Sequence, residues 1–355
     1  MKILFATSCL SYGGAEKNVK MVASEMLNRG YDVVICNFNT RPTVLTFDDR
    51  IKIVDMPKYA AKGLKRIQQF LFLCKLCKIE KPDLISSFLF LPNVISVFAG
   101  KISNVPVVIS ERADPFQHKS VLEKIIYYFY RFADGAVFQT EGAQRYFPKS
   151  LQNKSVVIPN PIIPNCDIEK VEQGKRRKVI SFVARFEIVQ KRQDIMIDAF
   201  AKVLKKHPEY NLEFYGDGPD EGKIKSKVEQ LGISSNVLFK GAVNNVAYYI
   251  YDTSMYVLCS DFEGIPNSLL EAMSLGLPCV STDCSPGGAR MLIDNMKNGM
   301  IVPCNDSDAL CNAINYMIEN PEFAEVCGSN AKEVNDKFSY QLIMDKWNDF
   351  YVSLL

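Results

Sequence analysis

The chain alternates, almost from end to end, between short apolar runs rich in β-branched residues and longer segments with a helical period of apolar residues. This alternation predicts repeated strand–helix–strand units whose neighbouring strands run parallel. The Pro-rich stretch 159–164, followed by a polar run to Lys178, interrupts it. Because 355 residues exceed one ordinary core, we predict two doubly wound domains joined at that stretch.

The two predicted domains are residues 1–160 and 161–339. The predicted strands are 2–7, 32–37, 84–87, 106–110, 135–139 and 155–158 in the first domain, and 179–183, 212–215, 237–240, 255–258, 278–282 and 299–302 in the second. Helices are predicted at 15–29, 194–206, 220–231, 268–275, 308–318 and 340–355. We expect the last helix, which carries Trp347, to return to the first domain. Ligands of such folds bind beyond the carboxyl ends of the strands.

The cysteines and histidines limit the chemistry that is available. The 11 cysteines are odd in number and lie mostly in apolar segments, as is typical of reduced thiols in a cytoplasmic protein. Cys74 and Cys77 form a C-x-x-C pair, but no second pair accompanies them, so a metal or redox role is not favoured. The two histidines, His118 and His207, are too few for a His-rich metal site.

The N-terminal segment and the lengths of the apolar runs bear on localisation. The first residues suit a buried strand better than a signal peptide, and no run approaches the roughly 18 apolar residues of a membrane-spanning helix. We therefore expect a cytoplasmic protein.

Charge is divided unevenly along the chain. Residues 1–165 carry 22 Lys and Arg against 13 Asp and Glu, a balance of +9, whereas the remainder carries 20 against 27, a balance of −7. Basic residues interleave with Phe and Leu at 58–81, and an aromatic-rich segment follows at 125–132. Such segments can lie on an anionic membrane surface, or can pack an apolar stripe on the sheet beneath a solvated face. Both interpretations stay open, while nucleic-acid binding is less favoured because no recognition motif is present.

The segment 261–278 carries the strongest functional signal. A loop with Gly264 and Pro266 follows a predicted strand, and a helix is predicted to begin at Asn267 or Ser268. The unpaired backbone N–H groups and the dipole of such a helix attract an anion, and a diphosphate is a natural ligand.

Two acids, eight positions apart, belong to this segment. We expect Glu271 in the first turn of the helix, where it can accept hydrogen bonds from ribose hydroxyl groups, and Glu263 on the loop, where it can reach a sugar. Taken alone, the same residues fit a structural strand-to-helix turn equally well.

The spacing of Glu263 and Glu271, with Leu-Glu-Ala-Met-Ser-Leu-Gly-Leu-Pro around and after the second acid, resembles the signature of family 4 glycosyltransferases. Other landmarks of that family are matched in order along nearly the whole chain. They are the glycine loop Gly13-Gly14-Ala15-Glu16 and the segments 181–194, 215–219, 237–243 and 282–290, the last in a form similar to that of bacterial surface-polysaccharide enzymes. The resemblance implies an α/β protein with the GT-B fold, in which two Rossmann-like domains face a cleft.

The resemblance also implies roles for individual residues. The catalytic residues would be Glu263, which orients the donor sugar, with Arg185 and Lys191, which supply positive charge to the leaving diphosphate. That charge replaces a divalent metal, so we expect no metal and no cofactor. The donor is expected to be a UDP-sugar, held mainly by the second domain. The expected donor-binding residues are Gly14, Arg112, Gly241, Val243, Gly264, Ile265, Pro266, Asn267, Ser268, Leu269 and Glu271.

The chain departs from the family pattern at 109–115. Many relatives have a histidine there, whereas this chain has Glu111 and Arg112, with His118 six residues further on. Whether Arg112 or His118 takes the place of that histidine stays open. Family 4 enzymes retain the anomeric configuration, and in their favoured front-face mechanism the departing phosphate oxygen takes the acceptor proton, so no protein base is required.

The sequence Asp306-Ser-Asp308 has the D-x-D form of metal-dependent transferases. A helical run follows it directly, so we predict that it caps a helix instead.

Three functions remain under consideration. The favoured one is a retaining transferase that moves a hexose or N-acetylhexosamine from a UDP-sugar to a lipid-linked oligosaccharide in bacterial surface-polysaccharide synthesis, with peripheral contact to the inner face of the plasma membrane. The alternatives are a sugar-nucleotide 2-epimerase and a non-catalytic nucleotide-sugar-binding partner subunit. Few histidines argue against the first alternative, and the intact Glu263, Glu271, Arg185 and Lys191 argue against the second.

Overall fold

The computed structural model describes residues 1–10, 14–39, 45–57, 64–164, 167–168 and 171–355. These residues form two compact units, one made of Met1–Asn160 with Gln341–Leu355 and the other of Pro161–Tyr340. Each unit is a parallel sheet flanked by helices, which confirms the predicted fold class.

The N-terminal unit contains a seven-stranded sheet in the order β3-β2-β1-β4-β5-β6-β7. Its strands are β1 (Lys2–Thr7), β2 (Asp32–Asn37), β3 (Lys52–Asp55), β4 (Leu84–Phe88), β5 (Val107–Glu111), β6 (Gly135–Phe138) and β7 (Ser155–Val157). Its helices are α1 (Gly14–Asn28), α2 (Lys65–Glu80), α3 (Phe90–Ser103), α4 (Val121–Phe129), α5 (Glu141–Tyr146) and α6 (Lys149–Gln152), with short 3₁₀ turns at Pro115–Gln117 and Tyr130–Phe132.

The C-terminal unit contains a six-stranded sheet in the order β10-β9-β8-β11-β12-β13. Its strands are β8 (Arg177–Val183), β9 (Asn211–Tyr215), β10 (Val237–Gly241), β11 (Thr253–Leu258), β12 (Cys279–Thr282) and β13 (Met300–Val302). Its helices are α7 (Ile188–Lys191), α8 (Gln193–Val203), α9 (Glu221–Gln230), α10 (Ala247–Ile250), α11 (Asn267–Ser274), α12 (Gly288–Leu292), α13 (Ser307–Glu319), α14 (Pro321–Ala331) and α15 (Val334–Lys337), with 3₁₀ turns at Gln173–Lys175 and Ser234–Asn236.

The last helix, α16 (Tyr340–Val352), packs on the N-terminal sheet. Its Trp347 is fully buried and stacks on Phe88 at a centroid distance of 5.7 Å. The Tyr351 hydroxyl lies 2.6 Å from the Ser86 hydroxyl of β4, so polar contacts as well as apolar burial fix the helix on the sheet.

The strand predictions correspond to observed strands, and one strand was missed. β3 has only two apolar residues, Ile53 and Val54, between a lysine and an aspartate, and it lies at the edge of its sheet. A half-exposed edge strand of that length gives too little alternation to be recognised. Among the helices of the described residues, none is both long and apolar enough to cross a membrane.

Candidate active site

The order of the C-terminal sheet reverses at β8, which pairs with β9 on one side and β11 on the other. Such a reversal leaves a crevice beyond the carboxyl ends of the strands, where ligands of doubly wound folds bind. Arg185 and Lys191 follow β8, and Glu263 follows β11. The three predicted catalytic side chains therefore come from the two strands that border this crevice.

Lys191 and Glu263 form a direct ion pair through Nζ and Oε1. The Ser260 hydroxyl also donates to Glu263 Oε1, over 2.7 Å, and the Gln190 side-chain amide donates to the carbonyl oxygen of Phe262 over 3.0 Å. Glu263 is largely buried, and hydrogen bonding and ion pairing offset the cost of burying its charge. The site thus keeps a fixed carboxylate beside a fixed cation.

Among the described residues, Arg185 makes no ion pair with Lys191's partner Glu263. Its side chain is 67% exposed, and its Nη1 lies 4.0 Å from a carboxylate oxygen of Glu187. An exposed guanidinium of this kind is able to reorient towards an incoming anion at little cost.

Helix α11 begins at Asn267, with Pro266 as its N-cap residue. Ile265 and Leu269 are buried beneath this turn and fix it on the sheet. The hydroxyl of the buried Tyr256 donates to Ser268 Oγ over 2.7 Å, so the Ser268 hydroxyl proton remains available to a ligand. The backbone amides of this first turn are the groups to which the sequence pattern assigns an anion, and that assignment remains a prediction.

The placement of Glu271 corrects one prediction. Glu271 is the fifth residue of α11 and lies in the second turn, and no acidic residue occupies the first turn. The helix starts directly after Pro266, because proline suits the start of a helix and the apolar Leu269 and Leu270 pack inward at once. A contact between Glu271 and a ribose remains a prediction.

Gly264 is held against the loop that follows β12. The Glu263 amide donates to the Ser285 carbonyl over 2.7 Å, and the Ser285 amide donates to the Asp261 carbonyl over 3.1 Å. A Cβ atom on Gly288 would lie 1.8 Å from the Gly264 carbonyl oxygen. Glycine at 288 is therefore required for the approach of two backbones that fixes the Glu263 loop.

A second loop contact positions the end of β10. The Gly216 amide donates to the Gly241 carbonyl over 2.9 Å, and a Cβ atom on Gly216 would lie 2.0 Å from the Ala184 carbonyl oxygen. Val243 is half-buried and packs on the core beneath α11. Gly241 and Val243 accordingly lie at the same carboxyl edge of the sheet as Arg185. A contact of their backbone groups with the nucleobase of a donor remains a prediction.

The D-x-D sequence caps a helix, as predicted. Asp306 is the N-cap residue of α13, and its carboxylate accepts hydrogen bonds from the amides of Asp308 and Ala309, at 3.0 and 2.8 Å. Asp308 pairs with Lys202 at 2.6 Å. Within the described ranges, no group of three or more His, Cys, Asp or Glu side chains is arranged to hold a metal ion.

Arg112, in the N-terminal unit, is buried. Its guanidinium donates to the Ile158 carbonyl over 3.3 Å and to Asn160 Oδ1 over 2.6 Å, and its Cζ lies 5.8 Å from the centroid of Trp347. Burial lowers the pKa of Arg112, because desolvation disfavours its charged form. These contacts tie the end of β7 to α16, so Arg112 has a structural role beside the donor contact predicted for it.

The remaining candidates of the N-terminal unit lie at or after the carboxyl ends of its strands: Gly14 follows β1, Glu111 ends β5, and His118 follows β5. Gly14 is exposed and opens α1, whereas Gly13 lies outside the described residues. His118 Nδ1 lies 2.9 Å from Glu123, and its ring stacks on Phe90 at 4.4 Å. Glu111 is buried, which raises its pKa, and it accepts a hydrogen bond from the Tyr130 hydroxyl over 3.1 Å.

The C-x-x-C pair lies within α2. Burial raises the pKa of both thiols, that of Cys77 to about 11. Reactive thiols of redox motifs have lowered pKa values, so the raised pKa values of this pair do not favour a redox role.

The chain matches two family models and is similar to several known proteins. Residues 12–165 match the model described as Glycosyltransferase Family 4, and residues 166–334 match the model described as Glycosyl transferases group 1. These two matches show a Glycosyltransferase Family 4 domain followed by a group 1 domain, so the chain is a glycosyltransferase. It is 25% identical over 354 residues, covering 98% of this chain and 97% of the relative, to a Campylobacter jejuni enzyme named GalNAc-alpha-(1->4)-GalNAc-alpha-(1->3)-diNAcBac-PP-undecaprenol alpha-1,4-N-acetyl-D-galactosaminyltransferase.

Solved structures of similar fold place this glycosyltransferase in the GT-B class. The apo lipopolysaccharide outer core galactosyltransferase WaaB is 22% identical, with a TM-score of 0.82 and full coverage of both chains. Anabaena Alr3699/HepE in complex with UDP is 20% identical, with a TM-score of 0.83 and coverage of 99% of this chain and all of that chain. These likenesses confirm the GT-B fold.

Several residues of the site were not predicted from the sequence. Gln190 and Arg192 flank the predicted Lys191, while Ser260 and Asp261 precede the predicted Glu263. Their proximity in sequence to predicted residues is the only signal that could have found them. The contacts that join the two loops are long-range, with 72 positions between Gln190 and Phe262 and 69 between Arg192 and Asp261.

Proposed function

We propose that this glycosyltransferase moves a hexose or N-acetylhexosamine from a UDP-sugar to a lipid-linked oligosaccharide, with retention of the anomeric configuration and without a metal ion. The observation that carries the proposal is the Lys191–Glu263 pair beside the first turn of α11. A cation and the backbone amides of a helix N-terminus suit a diphosphate, and a carboxylate at their side suits the hydroxyl groups of a sugar. UDP is supported as the nucleotide by its presence in the complex of the similar Anabaena protein.

In the proposed reaction, an acceptor hydroxyl oxygen bonds to the anomeric carbon while the bond from that carbon to the diphosphate oxygen breaks. The departing oxygen takes the acceptor's proton. Lys191, Arg185 and the α11 amides stabilise the negative charge that develops on the diphosphate, which is the work a divalent metal performs elsewhere. Glu263 orients the sugar, and no protein base is needed.

A lipid-linked acceptor is supported by the undecaprenol diphosphate in the name of the Campylobacter relative. The lipopolysaccharide enzyme of similar fold supports a place in bacterial surface-polysaccharide synthesis. Such an acceptor is anchored in a membrane by its hydrocarbon chain, so an enzyme that uses it must work at the bilayer surface.

The outer face of α2, α3 and α4 fits peripheral contact with an anionic lipid surface. On α4, Val121, Leu122, Ile125 and Tyr128 are all about half exposed or more, and Ile102 of the adjacent α3 is exposed as well. The same helices and the turn after α4 also carry exposed basic residues: Lys65, Arg66, Lys75, Lys78, Lys101, Lys124 and Arg131. Exposed apolar side chains suit acyl chains, and basic side chains suit anionic headgroups.

The proposal is tested by UDP release from a panel of UDP-sugars in EDTA, with and without a bacterial extract of lipid-linked oligosaccharides. We expect release from one donor that depends on the extract, survives EDTA, and falls in Lys191→Ala and Glu271→Ala. Release that stops in EDTA and returns with a divalent metal contradicts metal independence.

The product distinguishes the remaining possibilities. An α-linked product from an α-linked donor, read by NMR coupling at the anomeric proton, supports retention, and a β-linked product contradicts it. Donor binding without release in any extract favours a non-catalytic partner subunit.

A further inference from the structure

Arg192 follows Lys191 directly but does not share its chemistry. It has a left-handed backbone conformation, with φ of 50° and ψ of 44°, which non-glycine residues seldom adopt. It is both the C-cap residue of α7 and the N-cap residue of α8. The chain therefore turns sharply at the position next to the predicted donor-binding lysine.

The Arg192 guanidinium joins two carboxylates. Nε and Nη2 donate to the two oxygens of Asp194, each over 3.0 Å, and Nη1 donates to Asp261 Oδ2 over 2.9 Å. The side chain is only 17% exposed. Hydrogen bonds to Asp194 and Asp261 raise the pKa of Arg192 despite its burial, so the guanidinium stays charged.

Asp261 belongs to the loop that carries Glu263. Its amide donates to the Gln190 carbonyl over 2.9 Å, and its other carboxylate oxygen accepts a hydrogen bond from the Asn305 side chain over 3.2 Å. The turn after β8 and the loop after β11 are thus joined by backbone at Gln190 and by side chain at Arg192, on either side of Lys191.

We propose that Arg192 is a positioning residue, whose planar fork between Asp194 and Asp261 holds Lys191 and Glu263 in register at the donor's sugar–phosphate bond. The proposal rests on the donor roles proposed above for those two residues. Three of the five N–H groups of Arg192 are bound to carboxylates, so we assign its guanidinium to holding the two loops and not to the donor. A lysine at 192 keeps the charge but cannot bind two carboxylates with fixed directions, because an ammonium group lacks the planar fork.

The chain offers a matched control in Arg177. Its Nε and Nη2 donate to the two oxygens of Asp252, each over 2.9 Å, and its Nη1 donates to Glu213 over 3.1 Å. This is the same fork between two acids, but it lies at the start of β8, at the edge of the sheet opposite the site. Arg177→Lys therefore measures the cost of losing such a fork without an effect on the donor.

The experiment compares Arg192→Lys, Asp261→Asn and Arg177→Lys in UDP release at saturating donor, with thermal unfolding of each variant. We expect kcat to fall about 10- to 100-fold in the first two, since a misplacement of about 1 Å can cost that much, and to stay near wild type in the third. Asp261→Asn leaves the fork on Asp194 intact, so it tests the link between the loops even if Arg192→Lys folds poorly.

A second arm separates positioning from stability. In a Glu263→Gln background, Arg192→Lys should cause little further loss of kcat, because the Lys191–Glu263 register that it maintains is already lost with the charge of Glu263. Equal proportional losses in both backgrounds, or a kcat in Arg192→Lys that matches Arg177→Lys, overturn the positioning role. If the wild-type chain releases no UDP from any donor, the proposed function fails instead, and the two failures are thereby distinguished.

Discussion

The two units treat their candidate residues in different ways. In the C-terminal unit, the predicted residues Lys191 and Glu263 contact each other, and the loop around them is fixed by a backbone approach at Gly288. In the N-terminal unit, Arg112 and His118 are engaged with Trp347 and Glu123, and the most distinctive feature is an exposed apolar face on α4. One unit presents a preorganised polar site, and the other presents a surface.

This difference reflects what each unit is proposed to bind. A nucleotide diphosphate has the same charge and shape in every enzyme that uses it, so a short motif at one turn can encode its site. Acceptors differ in sugars and linkage, and a membrane surface requires only apolar area within a basic rim. The comparison predicts effects of four kinds, each confined to one unit.

The largest effect is expected at Glu263. Glu263→Gln keeps the shape of the side chain but removes its charge, and we expect kcat for UDP release to fall about 100- to 1,000-fold, the range seen when one group that stabilises the transition state is lost. UDP affinity should not fall, because Lys191 is freed from its ion pair. Glu319→Gln, at an exposed position of α13, is the control for kcat and for UDP titration. Unchanged turnover in Glu263→Gln would remove this residue from the active site.

A smaller effect is expected at the backbone contact beside Glu263. Gly288→Ala forces a Cβ atom towards the Gly264 carbonyl, and we expect a loss of about 1–3 kcal/mol in the free energy of unfolding, measured in urea. The control is Gly222→Ala in α9, where a Cβ atom meets nothing within 4 Å. That variant should be neutral or more stable by up to about 1 kcal/mol. Equal stability of the two alanine variants contradicts the argument from close approach.

The exposed face of α4 provides the third test. Leu122→Glu should weaken binding to vesicles that contain anionic lipid by about tenfold, because an apolar side chain, 67% exposed in the protein, is replaced by an anion. Binding is measured by sedimentation of the protein with the vesicles. Val326→Glu, at an exposed position of α14 in the other unit, is the matched control. Equal binding by both variants would show that α4 is not the membrane-binding surface.

The smallest effect is expected at Arg112. Arg112→Lys should lower the free energy of unfolding by about 1 kcal/mol, since an ammonium group cannot reach both the Ile158 carbonyl and Asn160 while covering Trp347. Arg145→Lys, at an exposed i,i+4 pair of α5, should change stability little. A rise in the Michaelis constant for the donor without a loss of stability would indicate instead that Arg112 contacts the donor.

Elements of the fold could be predicted from the sequence where their own residues show a strand, helix or capping pattern. β1 was predicted with its observed bounds, because six consecutive residues with strand character are followed by turn residues. β3 was missed because an edge strand with two apolar residues has no periodicity to detect. The prediction for Asp306 succeeded because an N-cap depends only on residues within one turn.

The site was readable only in part, for a related physical reason. The roles of Lys191 and Glu263 were proposed separately from local motifs, and their ion pair depends on the pairing of β8 with β11, which no local pattern reveals. The Arg192 link to Asp261 spans 69 positions and was not predicted. Burial of Arg112 was likewise hidden, since its partners come from the segment after β7 and from α16.

The central claim is that the turn carrying Lys191 binds a nucleotide diphosphate without a metal. Calorimetric titration of UDP into the protein in EDTA tests it most directly, with Lys191→Ala compared against Lys227→Ala, whose lysine forms an ion pair with Asp198 elsewhere in the same unit. The account predicts that wild type and Lys227→Ala bind UDP alike and that Lys191→Ala binds at least about tenfold more weakly, as expected for the loss of a charged hydrogen bond. Equal binding by all three proteins, or binding that requires a divalent metal, would contradict it.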